Sequence, residues 1–256
     1  MGLSDKQRKI LRFPYSQYDA LICDGSVRSG KTSIMSLSFF LWAMGNFSGC
    51  SFAYCGKRVG AVELSIAYLR RNFDIRYNRG DHVITARRGG RENRFYLFGG
   101  KDESSYSLIQ GITLAGVMLD EVALMPRSFV EQALARCSVS GAKFWFNCNP
   151  ENPEHWFRKE WLLKAPERNA LHLHFTMDDN PSLDDATRER YRTMYSGVFY
   201  QRYVLGLWVM AEGIVYDMFD HTRNVYSEPP IDMVDRSTRY IACDYGTTNP
   251  CVFLDI

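Results

Sequence analysis

Gly25-Ser26-Val27-Arg28-Ser29-Gly30-Lys31-Thr32 is the stretch that decides the fold, because it fits the pattern GxxxxGK[ST] at every defined position. Its glycines let the backbone wrap closely, so that N–H groups point at phosphate oxygens. In such a loop Lys31 neutralises β/γ-phosphate charge and the Thr32 hydroxyl ligates Mg²⁺. The chemistry needs a strand before the loop and a helix after it, whose positive end adds to the anion site. Ala20 to Cys23 reads as a short buried strand, and a helix is expected from Lys31 to about Met44, ending at Gly45-Asn46. The competing reading is a glycine-rich turn that matches by chance, and this placement argues against it.

Outward from the loop, strand and helix patterns alternate, which predicts an α/β fold with a mostly parallel central sheet flanked by helices. Ser51 to Cys55 is a second strand and Ala61 to Asn72 a second helix. His82 to Ala86 and Arg94 to Phe98 flank Arg88-Gly89-Gly90 as a hairpin. Further strands are expected at Leu114 to Leu119, Lys143 to Phe146 and His172 to Phe175, with a helix at Phe129 to Cys137. After Asn180-Pro181 the pattern turns helical through about Leu207, and Glu228-Pro229-Pro230 reads as a linker. The expected division is a core over 1–177, a helical lid and linker over 178–230, and the start of another domain over 231–256. An apolar strand, Cys251 to Ile256, at the very end of the chain reads as a truncation.

Val117-Met118-Leu119-Asp120-Glu121 is the second chemical signal. An apolar strand presents Asp120 at its C-terminal edge, where ligands bind in open α/β sheets. Asp120 is placed to hold Mg²⁺ through water, and Glu121 to polarise the attacking water. Strands often end in an acid, so the pair gains its meaning from the loop upstream. Two adjacent carboxylates favour an ATP-driven motor over GTPase-like or kinase-like relatives. Together the motifs point to a P-loop NTPase of the additional-strand, catalytic-glutamate type. A third signal, Phe144-Trp145-Phe146-Asn147-Cys148-Asn149-Pro150, is a buried strand ending in amides. Asn149 there suits a γ-phosphate sensor; Asn-Pro turn chemistry is the alternative.

These motifs, with Gln110-Gly111 ahead of VMLDEVALMP, then NCNPENPEHW, HFTMDDNP and YVLGLW in order, resemble phage terminase large subunits of the PBSX type over essentially the whole chain. The resemblance implies an ATPase motor, with ATP and Mg²⁺, moving double-stranded DNA. It implies a small terminase subunit and a procapsid portal protein as partners, a homo-oligomeric ring when engaged, and work in the cytoplasm of a bacterial host. It implies that Gln7 reads adenine and that Arg28 touches the γ-phosphate in cis. It implies Arg136 as a finger reaching a neighbouring subunit's ATP; which of Arg28, Arg127 and Arg136 serves stays open. Asn147 and Cys148 stand where the commoner coupling segment is threonine-rich, which leaves the coupling residue undecided but not its location. Tyr240-Ile241-Ala242-Cys243-Asp244-Tyr245 resembles the first strand of an RNase H-like nuclease, with Asp244 its first metal-binding acid. One carboxylate makes no two-metal site, so nuclease activity is not expected. The alternatives are another translocase, helicase-like in type, or a nucleotide-dependent assembly module.

Composition bounds the rest. The 256 residues, 46% hydrophobic and 23% charged, match an ordinary globular protein, and a formal charge of +2 excludes a polybasic binder. Positive charge is concentrated instead: between Arg70 and Arg94 eight arginines face three acids. That hairpin region is a candidate DNA face, since arginine forks suit phosphate; a solvated hairpin or a subunit contact is the alternative. Lys57-Arg58 lies in a loop where related translocases touch DNA or nucleotide. Seven cysteines without a CxxC pair read as small buried thiols in a reducing cytosol. No run is long enough for a signal peptide or a membrane span. His172 and His174 share one strand face and, lacking ligand partners in sequence, read as packing residues. Trp156, Trp161, Trp208, Tyr191, Tyr195, Phe199, Tyr200 and Tyr203 read as core and lid packing.

Overall fold

The computed structural model describes residues 2–66, 69 and 73–210, together with the strands 241–244 and 252–255. Contacts divide the chain into two units, Met1–Glu212 and Gly213–Ile256. The first is built on β1 (Ala20–Gly25), β2 (Ser51–Gly56), β3 (Asp74–Asn78), β4 (Val83–Arg88), β5 (Arg91–Gly99), β6 (Gly116–Asp120), β7 (Lys143–Asn147) and β8 (Ala170–Phe175). Its helices are α1 (Asp5–Arg12), α2 (Lys31–Asn46), α3 (Val59–Ile66), α4 (Arg127–Ala135) and α5 (Asp185–Met194). The sheet order is β3-β4-β5-β2-β6-β7-β1-β8. All pairings from β5 to β8 in that order are parallel, whereas β3 and β4 extend the sheet antiparallel beyond β5.

Strands covered on both faces carry continuous apolar runs rather than alternation. In β1 and β6 every residue is buried. Leu21 and Cys23 enter the core beneath α2, while Ala20 and Ile22 enter the core beneath α4. The α2 side is unusually aromatic. Phe40 stacks on Phe95 at 4.0 Å between centroids, and Trp42 meets Trp145 at 4.8 Å. Each such buried side chain contributes roughly 1.5–3 kcal/mol through removal of apolar surface from water.

The expected core strands are present, most of them a residue or two longer than read. The β4–β5 hairpin turns at Gly89 and Gly90, both at positive φ. Two elements were not anticipated. α1 forms because Ser4 and Gln7 make a reciprocal capping box, and Ser38 Oγ of α2 donates to the Ile10 carbonyl. β3 went unread because its outward positions, Asp74, Arg76 and Asn78, are exposed on the sheet edge and polar. The second helix is described only to Ile66; its expected end at Asn72 lies outside the described residues. The described part of the expected lid is α5, a helical turn at Gly197–Phe199 and a π-type turn at Tyr200–Val204. The linker expected at Glu228-Pro229-Pro230 lies outside the described residues. In the second unit, β9 (Ile241–Asp244) pairs antiparallel with β10 (Val252–Asp255).

Asn93 locks the end of α2 to the sheet. Its Oδ1 accepts from Cys50 N at 3.0 Å, and its Nδ2 donates to the Ala43 and Phe47 carbonyls at 3.2 and 2.9 Å. The side chain is buried, so removing it strands the groups it serves. Asn93→Ala is expected to cost about 2–3 kcal/mol of stability, read as a lowered urea midpoint with an unchanged slope.

Candidate functional site

The loop between β1 and α2 bends where only glycine fits. Gly25 has φ +129°, and a Cβ there would lie 1.9 Å from the Phe175 carbonyl oxygen. Gly30, the N-cap of α2, has φ +81°. Between them the Lys31 ammonium is buried and held by four oxygens: Gly25 O at 3.1 Å, Ser26 O at 2.7 Å, Ser29 Oγ at 3.1 Å and Asn149 Oδ1 at 3.3 Å. Burial lowers the Lys31 pKa, opposed by nearby Cys148, Cys23, Asp24 and Asp120.

β6 ends beside the loop, two strands from β1. The Thr32 hydroxyl donates to Asp120 Oδ1 at 3.2 Å, and Asn147 Nδ2 bonds both Thr32 Oγ1, at 2.9 Å, and Asp120 Oδ1. Asn147 Oδ1 is buried and has no partner. Hydroxyl, carboxylate and amide oxygens form a hard donor set that suits a small divalent cation completed by phosphate and water. No group of three or more His, Cys, Asp and Glu side chains among the described residues is placed to hold a metal unaided.

Glu121 follows Asp120 in the left-handed region, at φ 59° and ψ 48°. Arg28 also has positive φ, at 58°. Side chains other than glycine adopt this conformation at a cost of about 1–3 kcal/mol, and here both flank one cavity. That cavity, about 190 Å³, is lined by Arg28, Gly30, Lys31, Thr32, Ser33, Glu121, Asn147 and Asn149. Glu121 opens onto it, yet enough protein surrounds the carboxyl that partial desolvation, then the Asp120 charge, raises its pKa against the pull of Lys31. A second cavity of about 330 Å³ shares Gly30 and Ser33, and reaches Gln7, Leu37, Asn180 and Pro181. Gln7 is nearly buried there; its Oε1 accepts from Ser4 N, and its Nε2 lies 3.3 Å from where a Gly30 Cβ would be.

Within the first unit the residues expected at the site therefore converge, apart from Arg136. Arg136 sits where its carbonyl accepts from Leu114 N, ahead of β6, at the sheet edge opposite the loop. Its Nε is buried without a partner, and Arg136 is not among the residues that line the cavity. Asp244 ends β9 in the second unit. Arg127, the third arginine considered, is paired with Glu131 and Glu160. Four residues escaped the sequence reading. Asn147 is expected as part of a strand ending in amides and of the coupling segment, but not as the residue bonded to both Thr32 and Asp120, which makes it central. Tyr191 accepts from Arg28 Nε at 2.9 Å, and Asn180 Nδ2 donates to the Arg28 carbonyl at 2.7 Å. Asp24, directly ahead of the loop, is the fourth. No local pattern signals these bonds, since their partners lie far away in sequence.

Residues 22–223 match the family model described as terminase large subunit, T4likevirus-type, N-terminal. The chain belongs to the terminase large subunit family. The assignment holds at that level, since the matching model is T4likevirus-type rather than PBSX-type. Among solved structures, the large terminase of a thermophilic bacteriophage is 52% identical over 99% of this chain and 64% of its own, with a TM-score of 0.80. The same phage's terminase in complex with ATP-gamma-S matches at 50% identity over 98% of this chain and 64% of its own, with a TM-score of 0.77. The chain thus spans a little under two thirds of these terminases. The ATPase domain of the Thermus phage P74-26 large terminase shares the fold at 16% identity, covering 82% of this chain and all of that domain, with a TM-score of 0.60. A search of curated protein sequences returned no match. Within this terminase chain, no helix among the described residues is long and apolar enough to cross a membrane.

Proposed function

We propose that this chain is the ATP-hydrolysing part of a motor that drives double-stranded DNA into a viral procapsid. The observation that carries the reading is the convergence of Lys31, Thr32, Asp120 and Glu121 on one cavity at the sheet's C-terminal edge. The triphosphate lies along the loop and the N-terminus of α2, where helix amides and Lys31 offset its charge. The base end extends toward Gln7, Asn180 and Pro181, with Gln7 reading adenine. Thr32 and Asp120 would hold Mg²⁺, which when bound supplies charge neutralisation on the β/γ-phosphates. Asn147 fixes both of those side chains. Glu121 orients and deprotonates the attacking water, and Asn149, bonded to Lys31, reports the loss of the γ-phosphate. Arg28 lines the phosphate end while resting on Tyr191 of α5, which ties a transition-state charge to the lid. Arg136, at the far edge, serves as the finger toward a neighbouring subunit in a ring.

Duplex DNA, the small terminase subunit and the portal protein are the partners in this reading, and the host cytoplasm is where it works. The core covers 1–177 and the lid and linker 178–230. Residues 231–256, with the β9–β10 hairpin and Asp244, begin an RNase H-like nuclease whose activity needs further acids. The test is multi-turnover phosphate release at high protein concentration, with and without duplex DNA. Hydrolysis stimulated by blunt duplex, with no strand separation, is expected. Strand displacement driven by ATP would move the reading to a helicase-like translocase, and binding without turnover to an assembly module.

A further inference from the structure

Asp24, the β1 residue directly before Gly25, is 1% exposed. A buried carboxylate is costly unless paired and hydrogen-bonded, and three donors meet this one. His172 Nε2 and His174 Nδ1 of β8 lie 2.7 and 3.2 Å from its Oδ1, and Trp208 Nε1 donates to Oδ2 at 2.8 Å. Trp208 belongs to a strap, residues 203–208, that follows the lid helices and lies across the nucleotide loop. Val27 N donates to the Tyr203 carbonyl at 3.0 Å. Gly206, at φ +72°, packs so closely that a Cβ would sit 2.7 Å from Ser26 N and 2.9 Å from Gly25 Cα. Ser26 N donates to the Phe175 carbonyl of β8 at 2.8 Å. The path of residues 24–27 is therefore set from outside the loop by β8 and the strap, and from within it by Lys31 and Ser29.

We propose that Asp24 is a positioning residue that latches the 203–208 strap onto the nucleotide loop, so that strap seating and nucleotide affinity are linked. The proposal rests on the nucleotide reading of that loop. The polypeptide runs on from the strap toward the second unit, Gly213–Ile256, and directly after Trp208 the Val209 carbonyl accepts from Arg202 Nε and Nη2 at 3.2 and 2.8 Å, which holds the strap's downstream end in place. Linkage is reciprocal: whatever factor the seated strap adds to nucleotide affinity, bound nucleotide adds to strap seating.

The charges around the latch agree. Burial pushes the Asp24 pKa up, but the bonds from His172 and His174, the His172 charge and the Trp208 bond outweigh it and hold the carboxyl well below its usual range. His174 is held above its ordinary 6.5, first by its bond to Asp24 and against burial, with the Leu205 backbone adding to the rise and Lys6 opposing it. A ring serving Asp24 and the Leu205 carbonyl together needs both of its protons. Lys31, Cys23 and Cys148 also face Asp24, and burial keeps both thiols neutral. A raised histidine pKa means that the latch is complete below 6.5 and loosens as pH rises through the folded His174 value. The depressed Asp24 value means that the acid limb lies far lower.

The test labels the five tryptophans of the 256-residue chain with 5-fluorotryptophan and assigns the Trp208 ¹⁹F resonance by its absence in Trp208→Phe. Saturating ADP is expected to shift that resonance. Trp208→Phe, which keeps an aromatic ring but loses the N–H, should weaken ADP binding by about tenfold. Asp24→Asn should do the same, with no further loss in the double variant. Raising the pH above 6.5 should move the Trp208 resonance in the wild type and clearly less in His174→Gln, where His172 is the imidazole left on Asp24. If Asp24→Asn fails to fold, the Trp208→Phe affinity and the pH series decide. A wild-type chain that binds no ADP overturns the nucleotide reading and the latch with it. ADP binding with a silent Trp208, or Trp208→Phe binding within about twofold of wild type, overturns the latch alone.

Discussion

Glu121→Gln is expected to bind nucleotide nearly as well as the wild type and to hydrolyse ATP about 10²–10⁴-fold more slowly, the range a positioned general base supplies. The substitution keeps the shape of the side chain and the left-handed backbone that aims it at the cavity, where the Glu121 carbonyl accepts from Leu124 N at 2.9 Å. It removes the carboxylate's charge and with it the ability to take a proton. Asp120, its neighbour, is engaged with Thr32 and Asn147 and is not free to substitute. Lys31 and the loop are untouched, so affinity for ADP, followed by calorimetry, should change by less than about threefold, under the roughly 1.4 kcal/mol that a tenfold change represents. Phosphate release measured over many turnovers checks the rate. Substantial hydrolysis by the amide variant would remove Glu121 as the base and return attention to the other polar groups lining the cavity.

How far the sequence carried depends on whether a partner was local. The loop, the strand ending in Asp120-Glu121 and the strand ending in Asn147 each hold their signal within a few residues. The parallel sheet brings them to one edge because β1, β6 and β7 run the same way. β3 is hard to read because its alternation is short and weak: only Ile75 and Tyr77, both half-buried, stand between exposed Asp74, Arg76 and Asn78. His172 and His174 were read as packing residues for want of an acid nearby; the acid is Asp24, 148 and 150 residues away, brought in by β1–β8 pairing. Trp208 was read as packing for the same reason, although its indole N–H has a defined acceptor. Long-range pairings of this kind come from topology, which residue patterns specify only after the strand order is known.

Lys31→Ala is expected to abolish nucleotide binding, weakening it by at least about 10²-fold. The ammonium is among the largest charges facing the phosphate end of the cavity, and its charge-assisted bonds to phosphate oxygens are worth about 1.5–3 kcal/mol each. A competing effect has to be separated. Lys31 also ties together the Gly25 and Ser26 carbonyls, Ser29 Oγ and Asn149 Oδ1, so its removal frees the loop as well as removing charge. Lys31→Met divides the two contributions, because it restores the stem and its packing without the charge. If charge dominates, Met and Ala bind ADP equally poorly while the Met variant keeps more of the wild-type urea midpoint. Burial favours that outcome: the lysine already bears a desolvation cost that lowers its pKa, and a triphosphate beside it repays the charged form. Affinity within about tenfold of the wild type in the Met variant would mean that the loop's geometry, and not the cation inside it, carries recognition.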